Sequence, residues 1–283
     1  MREPGSSRGL WNRLRPRQGN LRVWQVGMFI AFFVFWHVLA VPGIVPPVYF
    51  DDASKAAFFF GEPLKVLGRV WEWFSYGDIF EHLWVTLWET FLAFVIGTLS
   101  GLVVGLWLAL NPVASALCDP YIKALNSMPR VILAPIFSVW FGLDIASKVA
   151  LGVTLVFFIV FFNVYQGVRE VSPTVLANAR ILGASQKQLL RHVYVPSAMS
   201  WVFASLHNSV GLAFVGAVVG EYLGSSRGVG YLILQAEGTF DINTVFAGIL
   251  VLTGFALALD YAVTLIEKRL MVWQPRQGET ERI

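Results

Sequence analysis

Apolar residues fall into six long blocks that carry few charges and are separated by more polar segments. A helix that crosses a bilayer needs roughly 20 consecutive, mostly apolar residues, and several of the blocks reach that length. The pattern therefore predicts an all-α, polytopic membrane protein with six transmembrane helices. We expect the spans near Val23–Val41, Leu83–Leu110, Leu117–Phe141, Val149–Val168, Ser200–Tyr222 and Thr244–Ile266.

The third block differs from the others because Pro120, Pro129 and Pro135 interrupt it. A spanning helix tolerates such breaks only where neighbouring protein satisfies the freed backbone groups. We therefore expect this span to be broken and to lie inside a bundle.

The first block follows an arginine-rich stretch, but it is longer than the roughly 7 to 15 apolar residues of a signal peptide, and no small-residue cleavage site follows it. We expect a retained helix there. In the long loop of residues 42–82, apolar residues at helical spacing predict a short helix that lies in the membrane interface.

In the second block, Gly97, Gly101 and Gly105 recur every fourth residue and so share one helix face. Small residues at this spacing let another helix approach closely. The partner helix can belong to this chain or to a second copy. We favour the intrachain partner, because small-residue stripes pack any membrane bundle.

Composition narrows the class of protein. Hydrophobic residues make up 56% and charged residues 14%, against about a quarter charged in soluble domains. The net charge of +3 does not indicate nucleic-acid binding, because the basic residues cluster at the ends of apolar blocks. The single cysteine, Cys118, excludes an intrachain disulfide and a multi-cysteine metal site. No Gly-Lys-Ser or Gly-Lys-Thr occurs, so the chain has no P-loop for nucleotide phosphates.

Basic residues also indicate orientation. With the amino terminus in the cytoplasm, that side receives six arginines before residue 23, four basic residues in the loop of residues 168–199 and four in the last segment, against five on the outer side. The positive-inside rule then places both termini in the cytoplasm. We expect a basic tail over residues 1–22, a six-helix transmembrane domain over 23–266 and a second tail over 267–283.

The cytoplasmic loop of residues 168–199 has strong helix punctuation. Ser172 and Pro173 suit the start of one helix, and Gly183 can take the left-handed conformation that ends it. Ser185 opens a capping box for a second short helix, and Pro196 permits a fresh helix to enter the membrane. The pattern favours a two-helix projection, although an ordinary ordered loop explains it about equally well.

This loop resembles the cytoplasmic signature of permease subunits of bacterial ABC importers, which is Glu-Ala-Ala, three residues, Gly, nine residues, Ile, one residue, Leu-Pro. The family usually has Glu at position 177 and Ala at 178, and valines here replace its Ile and Leu. The spacing is unchanged, but Ala177 cannot form any ion pair that the glutamate would make. The matching positions are Ala177, Asn178, Ala179, Gly183, Val193, Val195 and Pro196.

Two further segments are similar to the sulfonate, taurine, nitrate and thiamine-precursor branch of this family. They are Met128–Leu143 in the third span and Gly220–Ile233 in an outer loop, and the resemblance extends from roughly Trp84 to Trp273. It implies the transmembrane domain of a type I ABC importer in the bacterial inner membrane. The implied solute is a small anion such as sulfonate, taurine or nitrate, or a thiamine precursor.

The resemblance also implies the partners. They are two copies of an ATPase, a second copy of this permease and a substrate-binding protein outside the cytoplasm. ATP and Mg would bind to the ATPase, so this chain is expected to be non-catalytic and to hold no cofactor. The residues implied to dock the ATPase within this coupling loop are Ala177, Asn178, Ala179, Gly183, Ala184, Ser185, Gln186 and Lys187.

Polar side chains inside spans are costly and by default indicate a solute pathway. The candidates for a pathway or gate are Asn163, Asn208, Gly211 and Glu221. Asn208 and Gly211 share one face of the fifth span with other small or apolar residues. Hydrogen bonding to a neighbouring helix explains Asn163 and Asn208 equally well. For Glu221 we favour a structural tie at an outer gate over contact with solute.

Three other ionisable residues have structural interpretations. Glu89 is expected near the start of the second span, where a helix amino terminus tolerates an anion. Asp260 is expected close to the cytoplasmic end of the sixth span. His37 is interpreted as a buried ring, because no second histidine or carboxylate stands at metal-binding spacing on its helix.

Two other classes of function compete with the importer. An ion-coupled secondary transporter needs acids at mid-membrane and often has internal repeats, and the sequence predicts neither. A membrane anchor explains the spans. It does not explain the two segments, one in the third span and one in an outer loop, that resemble the importer family.

Overall fold

The structure is a computed structural model that describes residues 21–41 and 53–270. The predicted tails over residues 1–22 and 267–283 therefore lie almost wholly outside the described residues. Within the described ranges every regular element is helical, as the apolar blocks predict. The chain divides into two compact units, residues 1–69 and 70–283.

The first unit contains α1 (Leu21–Ala40), α2 (Ala53–Phe60) and the start of α3 (Pro63–Tyr76). The indole N–H of Trp36 on α1 donates to the carbonyl of Phe60 at 2.9 Å, which joins α1 to the end of α2. Helix α3 is the short helix that the spacing of apolar residues predicts in the loop of residues 42–82.

The second unit contains the remaining helices. They are α4 (Asp78–Leu110), α5 (Pro112–Ser127), α6 (Leu133–Phe141), α7 (Ile145–Arg169), α8 (Pro173–Ile181), α9 (Gln186–Leu189), α10 (Val195–Leu223), α11 (Val229–Gly238) and α12 (Ile242–Leu270). A single 3₁₀ turn, Arg130–Ile132, precedes α6, and a π-helical turn, Leu190–Tyr194, joins α9 to α10.

Helices α4, α7 and α10 form the core of the second unit, around buried residues such as Ala93, Val160 and Ala213. The glycine face of α4 packs against α7. A Cβ atom added at Gly97 would lie 2.6 Å from Cβ of Val156, and one at Gly101 would lie 2.8 Å from a backbone oxygen of α7. The intrachain alternative for this glycine stripe is therefore confirmed.

Four helices, α1, α4, α7 and α12, are long and apolar enough to span a membrane. Two bent pairs bring the number of candidate spans to six. One pair is α5 with the segment Arg130–Phe141, bent by 79°. The other is Gln186–Phe203 with Ser205–Leu223, bent by 55°. These six elements lie where the six apolar blocks predict spans.

The third span is broken as expected, but the expectation that three prolines interrupt it was wrong. Pro120 lies inside α5, which continues to Ser127. Pro135 is the third residue of α6, in a first turn whose N–H groups have no partner within the helix. The break lies at Pro129, between the end of α5 and the 3₁₀ turn.

The expectation that Pro196 starts a fresh helix was also wrong. The N–H of Val195 donates to the carbonyl of Leu190, five residues earlier. This π-helical turn carries the helix from α9 into α10 without interruption. Proline has no backbone N–H to donate, and the wider turn allows the helix to continue without that hydrogen bond.

Candidate functional site

The loop of residues 168–199 has the two-helix form that its sequence pattern favours. Helix α8 begins at Pro173, directly after Ser172, as predicted. The Ser172 side chain makes no capping hydrogen bond, so the predicted side-chain cap was wrong. The backbone instead closes this first turn, because the N–H of Leu176 donates to the carbonyl of Ser172 at 3.2 Å.

Gly183 ends α8 with φ of +82°. Its N–H donates to the carbonyl of Arg180 at 2.9 Å, and the N–H of Ala184 donates to the carbonyl of Ala179 at 3.0 Å. This pair of bonds is the Schellman motif, in which a left-handed residue satisfies the last carbonyls of a helix. Gly183 is therefore the turn residue that the sequence predicts.

Ser185 begins α9 with the predicted capping box. Its backbone N–H donates to the side-chain oxygen of Gln188 at 2.8 Å, and the N–H of Gln188 donates to the Ser185 hydroxyl at 3.3 Å. The motifs at both ends of this four-residue connection, residues 182–185, fix the angle between α8 and α9.

Three of the eight predicted docking residues lie together beside this turn. A shallow cavity of about 270 Å³ lies beside it and is lined by Ala179, Gly183 and Ala184 among others. Ile181 and Leu182 were missed by the sequence reasoning and are 82% and 87% exposed. The signal that identifies them is an apolar pair directly before a helix-ending glycine in an otherwise more polar loop.

The base of the loop is anchored to the bundle. The hydroxyl of Ser197 on α10 donates to the carbonyl of Gly167 on α7 at 2.8 Å. A Cβ atom added at Gly167 would overlap the ring of Trp201, so α7 and α10 approach closely where the loop leaves and re-enters the bundle. The two ends of the loop are therefore attached to each other through α7 and α10.

At the other end of the bundle, three successive backbone N–H groups at the start of α11 are bound by side chains of two other helices. The N–H of Gly228 donates to Nδ1 of His82 at 3.0 Å. The next two donate to the hydroxyl of Thr86 at 3.3 Å and to the carboxylate of Glu221 at 2.7 Å. We call His82, Thr86 and Glu221 the outer clasp.

Glu221 is fully buried at the end of α10. Gly228 has φ of +102°, and a Cβ atom there would overlap the Glu221 carboxylate. The outer clasp therefore joins α4, α10 and α11, and a role of Glu221 in gating stays a prediction.

The expected position of Glu89 was wrong. Helix α4 begins at Asp78, about three turns earlier, and the Glu89 side chain is only 1% exposed. One of its carboxylate oxygens has no hydrogen-bond partner among the described residues. Lys148, which the charge count places on the outer side, is also fully buried. It donates to the carbonyls of Leu143 and, at 3.1 Å, of Asp144.

The three other pathway candidates lie apart from the outer clasp. The amide of Asn163 donates to the carbonyl of Ile159 on its own helix at 2.7 Å, so that bond does not join two helices. Asn208 and Gly211 are exposed on α10. Nothing lies within 4 Å of a Cβ atom added at Gly211, so this face of α10 is open in the single chain.

Asp260 lies on α12 in the last third of the candidate span, which ends at Glu267. Its carboxylate pairs with His207 of α10 at 2.5 Å. His37 is half-buried on α1. Across residues 21–41 and 53–270, no three His, Cys, Asp or Glu side chains are grouped to hold a metal ion.

A polar stripe on α5 was also missed by the sequence reasoning. Its members are Asp119, Lys123, Asn126 and, just past the helix end, Arg130. The spacing of three or four residues places Asp119, Lys123 and Asn126 on one helix face, and Arg130 joins them by donating hydrogen bonds to Asn126. Regular spacing of polar residues inside an otherwise apolar block is the signal that reveals them.

Comparison with known proteins agrees with this architecture. The family described as "binding-protein-dependent transport system inner membrane component" matches residues 101–272. An aliphatic sulfonates transport permease protein of Bacillus subtilis is 29% identical over 92% of each chain. The formylaminopyrimidine transport permease of Halalkalibacterium halodurans is 31% identical over 76% of this chain and 86% of that protein.

A solved structure of the inward-facing MetNI methionine ABC transporter has the same fold. Its matching chain has a TM-score of 0.58 and 19% identity, and the match covers 68% of this chain and 94% of that one. The fold is that of a type I ABC importer transmembrane domain, and the relatives do not favour a secondary transporter. The chain belongs to the binding-protein-dependent transport system inner membrane component family and is a multi-pass, inner-membrane permease component of an ABC importer.

Proposed function

We propose that this permease forms a solute pathway with a second copy of itself and that two copies of a partner ATPase drive transport by binding the coupling loop. The observation that carries the proposal is the rigid turn at Gly183 with its exposed apolar pair. Ile181 and Leu182 project where a soluble loop would normally place polar residues, and exposed apolar patches mark sites of protein contact.

The size and rigidity of the turn suit such a contact. The Schellman motif and the capping box hold α8 and α9 at a fixed angle, so a partner would bind a preformed shape and lose little conformational entropy. The hydrogen bond from Ser197 to Gly167 then connects the loop to two spans. ATP and Mg belong to the ATPase in this proposal, and the permease itself is non-catalytic.

The proposed orientation places both termini and the coupling loop in the cytoplasm. Basic residues are concentrated on that side of the predicted spans, as the positive-inside rule requires. The outer clasp then faces the side from which a substrate-binding protein delivers its cargo.

The proposed cargo is a small organic anion of the sulfonate class. Support comes from the B. subtilis relative, an aliphatic sulfonates permease that aligns over nearly the whole chain. The H. halodurans relative transports a formylaminopyrimidine by its name, so a thiamine precursor is the second candidate.

Co-purification and ATP hydrolysis test this proposal. The permease is expressed with the ATPase and binding protein of its own operon, reconstituted in proteoliposomes and assayed for vanadate-sensitive hydrolysis. We expect the loaded binding protein to stimulate hydrolysis and taurine or butanesulfonate to accumulate. A permease that purifies without the ATPase, or that accumulates solute without ATP, contradicts the proposal.

A further inference from the structure

Arg130 lies at the break in the third span, beside the middle of α7. Its guanidinium carbon is 4.7 Å from the ring centroid of Phe158 on α7. Phe158 is near the middle of α7 (Ile145–Arg169), which places it roughly 16 to 20 Å from either end of the helix at 1.5 Å per residue. An arginine side chain is too short to reach either surface from that depth.

The charge of Arg130 is uncompensated. Its Nη2 atom donates to the backbone carbonyl of Asn126 at 3.2 Å and to the Asn126 side-chain oxygen, and both acceptors are neutral. Its Nε atom is buried and has no hydrogen-bond partner in the described part of the chain. No carboxylate of the described residues forms an ion pair with it. By contrast, Lys123 on the same stripe pairs with Asp119 at 2.6 Å.

The surroundings of Arg130 do not suit lipid. Helix α5 has no buried residue in the single chain. Asp119, Lys123 and Asn126 are exposed, and Arg130 is half-buried. Ionisable residues inside spans face a bundle interior or a water-filled cavity, since contact with hydrocarbon is costly. Broken spanning helices near the midplane are also where transporters commonly build solute sites. The stripe therefore faces the space enclosed by the assembled importer.

We propose that Arg130 is a solute-binding residue of the translocation pathway and contacts the oxyanion of the cargo at mid-membrane. This inference rests on the proposed import of a small anion. A guanidinium offers planar, paired donors that match two oxygens of a sulfonate. Phe158 and Asn126 hold it from one side, and the passing anion supplies the missing counter-charge. Arg130 is thereby a determinant of selectivity for anions within the permease itself.

Chemical restoration of charge tests the proposal. Arg130→Cys is made in a Cys118→Ser background and reconstituted with the ATPase and binding protein. Uptake of radiolabelled taurine and butanesulfonate is then measured. We expect a loss of about tenfold or more, the size of a charge-assisted hydrogen bond. An aminoethyl thiol reagent, which adds a cation, restores most of the uptake, whereas a neutral hydroxyethyl reagent of the same length does not.

The controls separate this role from folding and from the proposed function. Lys65→Gln removes a cation that lies outside the stripe and pairs with Glu62 at 2.6 Å, and this variant keeps wild-type uptake. Arg130→Lys keeps the charge and retains transport with a raised KM. ATP hydrolysis stimulated by the binding protein stays within about twofold of wild type in each assembled variant, since the coupling loop is untouched.

Three results overturn the proposal. They are wild-type uptake by Arg130→Gln, equal rescue by the cationic and neutral reagents, and failure of both Arg130→Cys and Arg130→Lys to assemble, which marks a structural role. If the wild-type importer itself shows neither stimulated hydrolysis nor anion uptake, the proposed function fails. That failure is distinct from the three results above, because it does not depend on the charge at position 130.

Discussion

The carboxylate of Glu221, at the end of α10, accepts a hydrogen bond of 2.6 Å from the hydroxyl of Thr86, a residue 135 positions earlier on α4. The other carboxylate oxygen accepts from the N–H of Gly230 at 2.7 Å. Both oxygens of a fully buried carboxylate are therefore satisfied by groups on two other elements. The start of α11 is fixed against the bundle because this carboxylate joins all three.

Glu221→Gln should destabilise the permease. The amide has one accepting oxygen where the carboxylate has two, so the N–H of Gly230 or the hydroxyl of Thr86 loses its acceptor, and an unsatisfied buried polar group costs about 1–3 kcal/mol. Thr86→Val should have a similar effect, and Thr86→Ser, which keeps the hydroxyl, should be close to wild type. Thermal unfolding in detergent measures the differences. Equal stability of the valine and serine variants would show that the Thr86 hydroxyl contributes nothing to the stability of the permease.

Gly228→Ala should be more damaging than an ordinary glycine substitution. The left-handed backbone already disfavours alanine, and the new Cβ would overlap the Glu221 carboxylate. Gly238→Ala is the matched control, because nothing lies within 4 Å of a Cβ atom there. We expect loss of folded protein or of transport for Gly228→Ala alone, measured by size-exclusion yield and uptake. Similar yields and uptake rates for the two variants would contradict the close approach.

The sequence pattern was sufficient to predict the apolar spans and the two-helix form of the coupling loop, because both depend on local residue chemistry. Gly183 and Ser185 occupy the conformations that their residue types favour. The expectation for Pro196 was wrong because a π-helical turn lets the helix continue without the N–H that proline lacks. Nothing in the local sequence predicts that turn. The position of Glu89 depends on where α4 begins, and a boundary hidden in a polar loop is the least predictable part of a helix.

The outer clasp could not be assembled from sequence. His82 and Thr86 are far from Gly228 along the chain, and only packing of α4 against α10 and α11 brings their side chains to three successive backbone donors. The polar stripe on α5 was readable from its spacing, but its importance follows from the depth of Phe158 and from the absence of a carboxylate near Arg130 in the described residues. Both facts depend on the tertiary structure and cannot be obtained from the sequence.

The two ends of the bundle should label from opposite sides of the membrane. Single cysteines at Ser185, in the coupling loop, and at Ser226, an exposed residue of the outer loop, are compared in a Cys118→Ser background. A membrane-impermeant thiol reagent applied to intact spheroplasts should label Ser226→Cys, and Ser185→Cys only after the membrane is opened. Labelling of both positions from the outside would exclude the proposed orientation.

Gly183→Val tests whether the coupling loop transmits the work of the ATPase. Gly183 has φ of +82° and no atom within 4 Å of an added Cβ, so the substitution acts through backbone strain of about 1–3 kcal/mol and not through a clash. Ser185→Ala removes only a cap, worth about 1 kcal/mol, and should be milder. Gly254→Val, in equally open surroundings on α12, controls for the residue type.

The decisive measurement is co-purification of the ATPase with Gly183→Val permease, recorded together with solute uptake. We predict that the variant reaches the membrane in wild-type amounts, retains little ATPase and transports little solute, while the Gly254→Val control retains both. Wild-type ATPase retention and wild-type uptake by Gly183→Val would contradict the assignment of this loop as the coupling element.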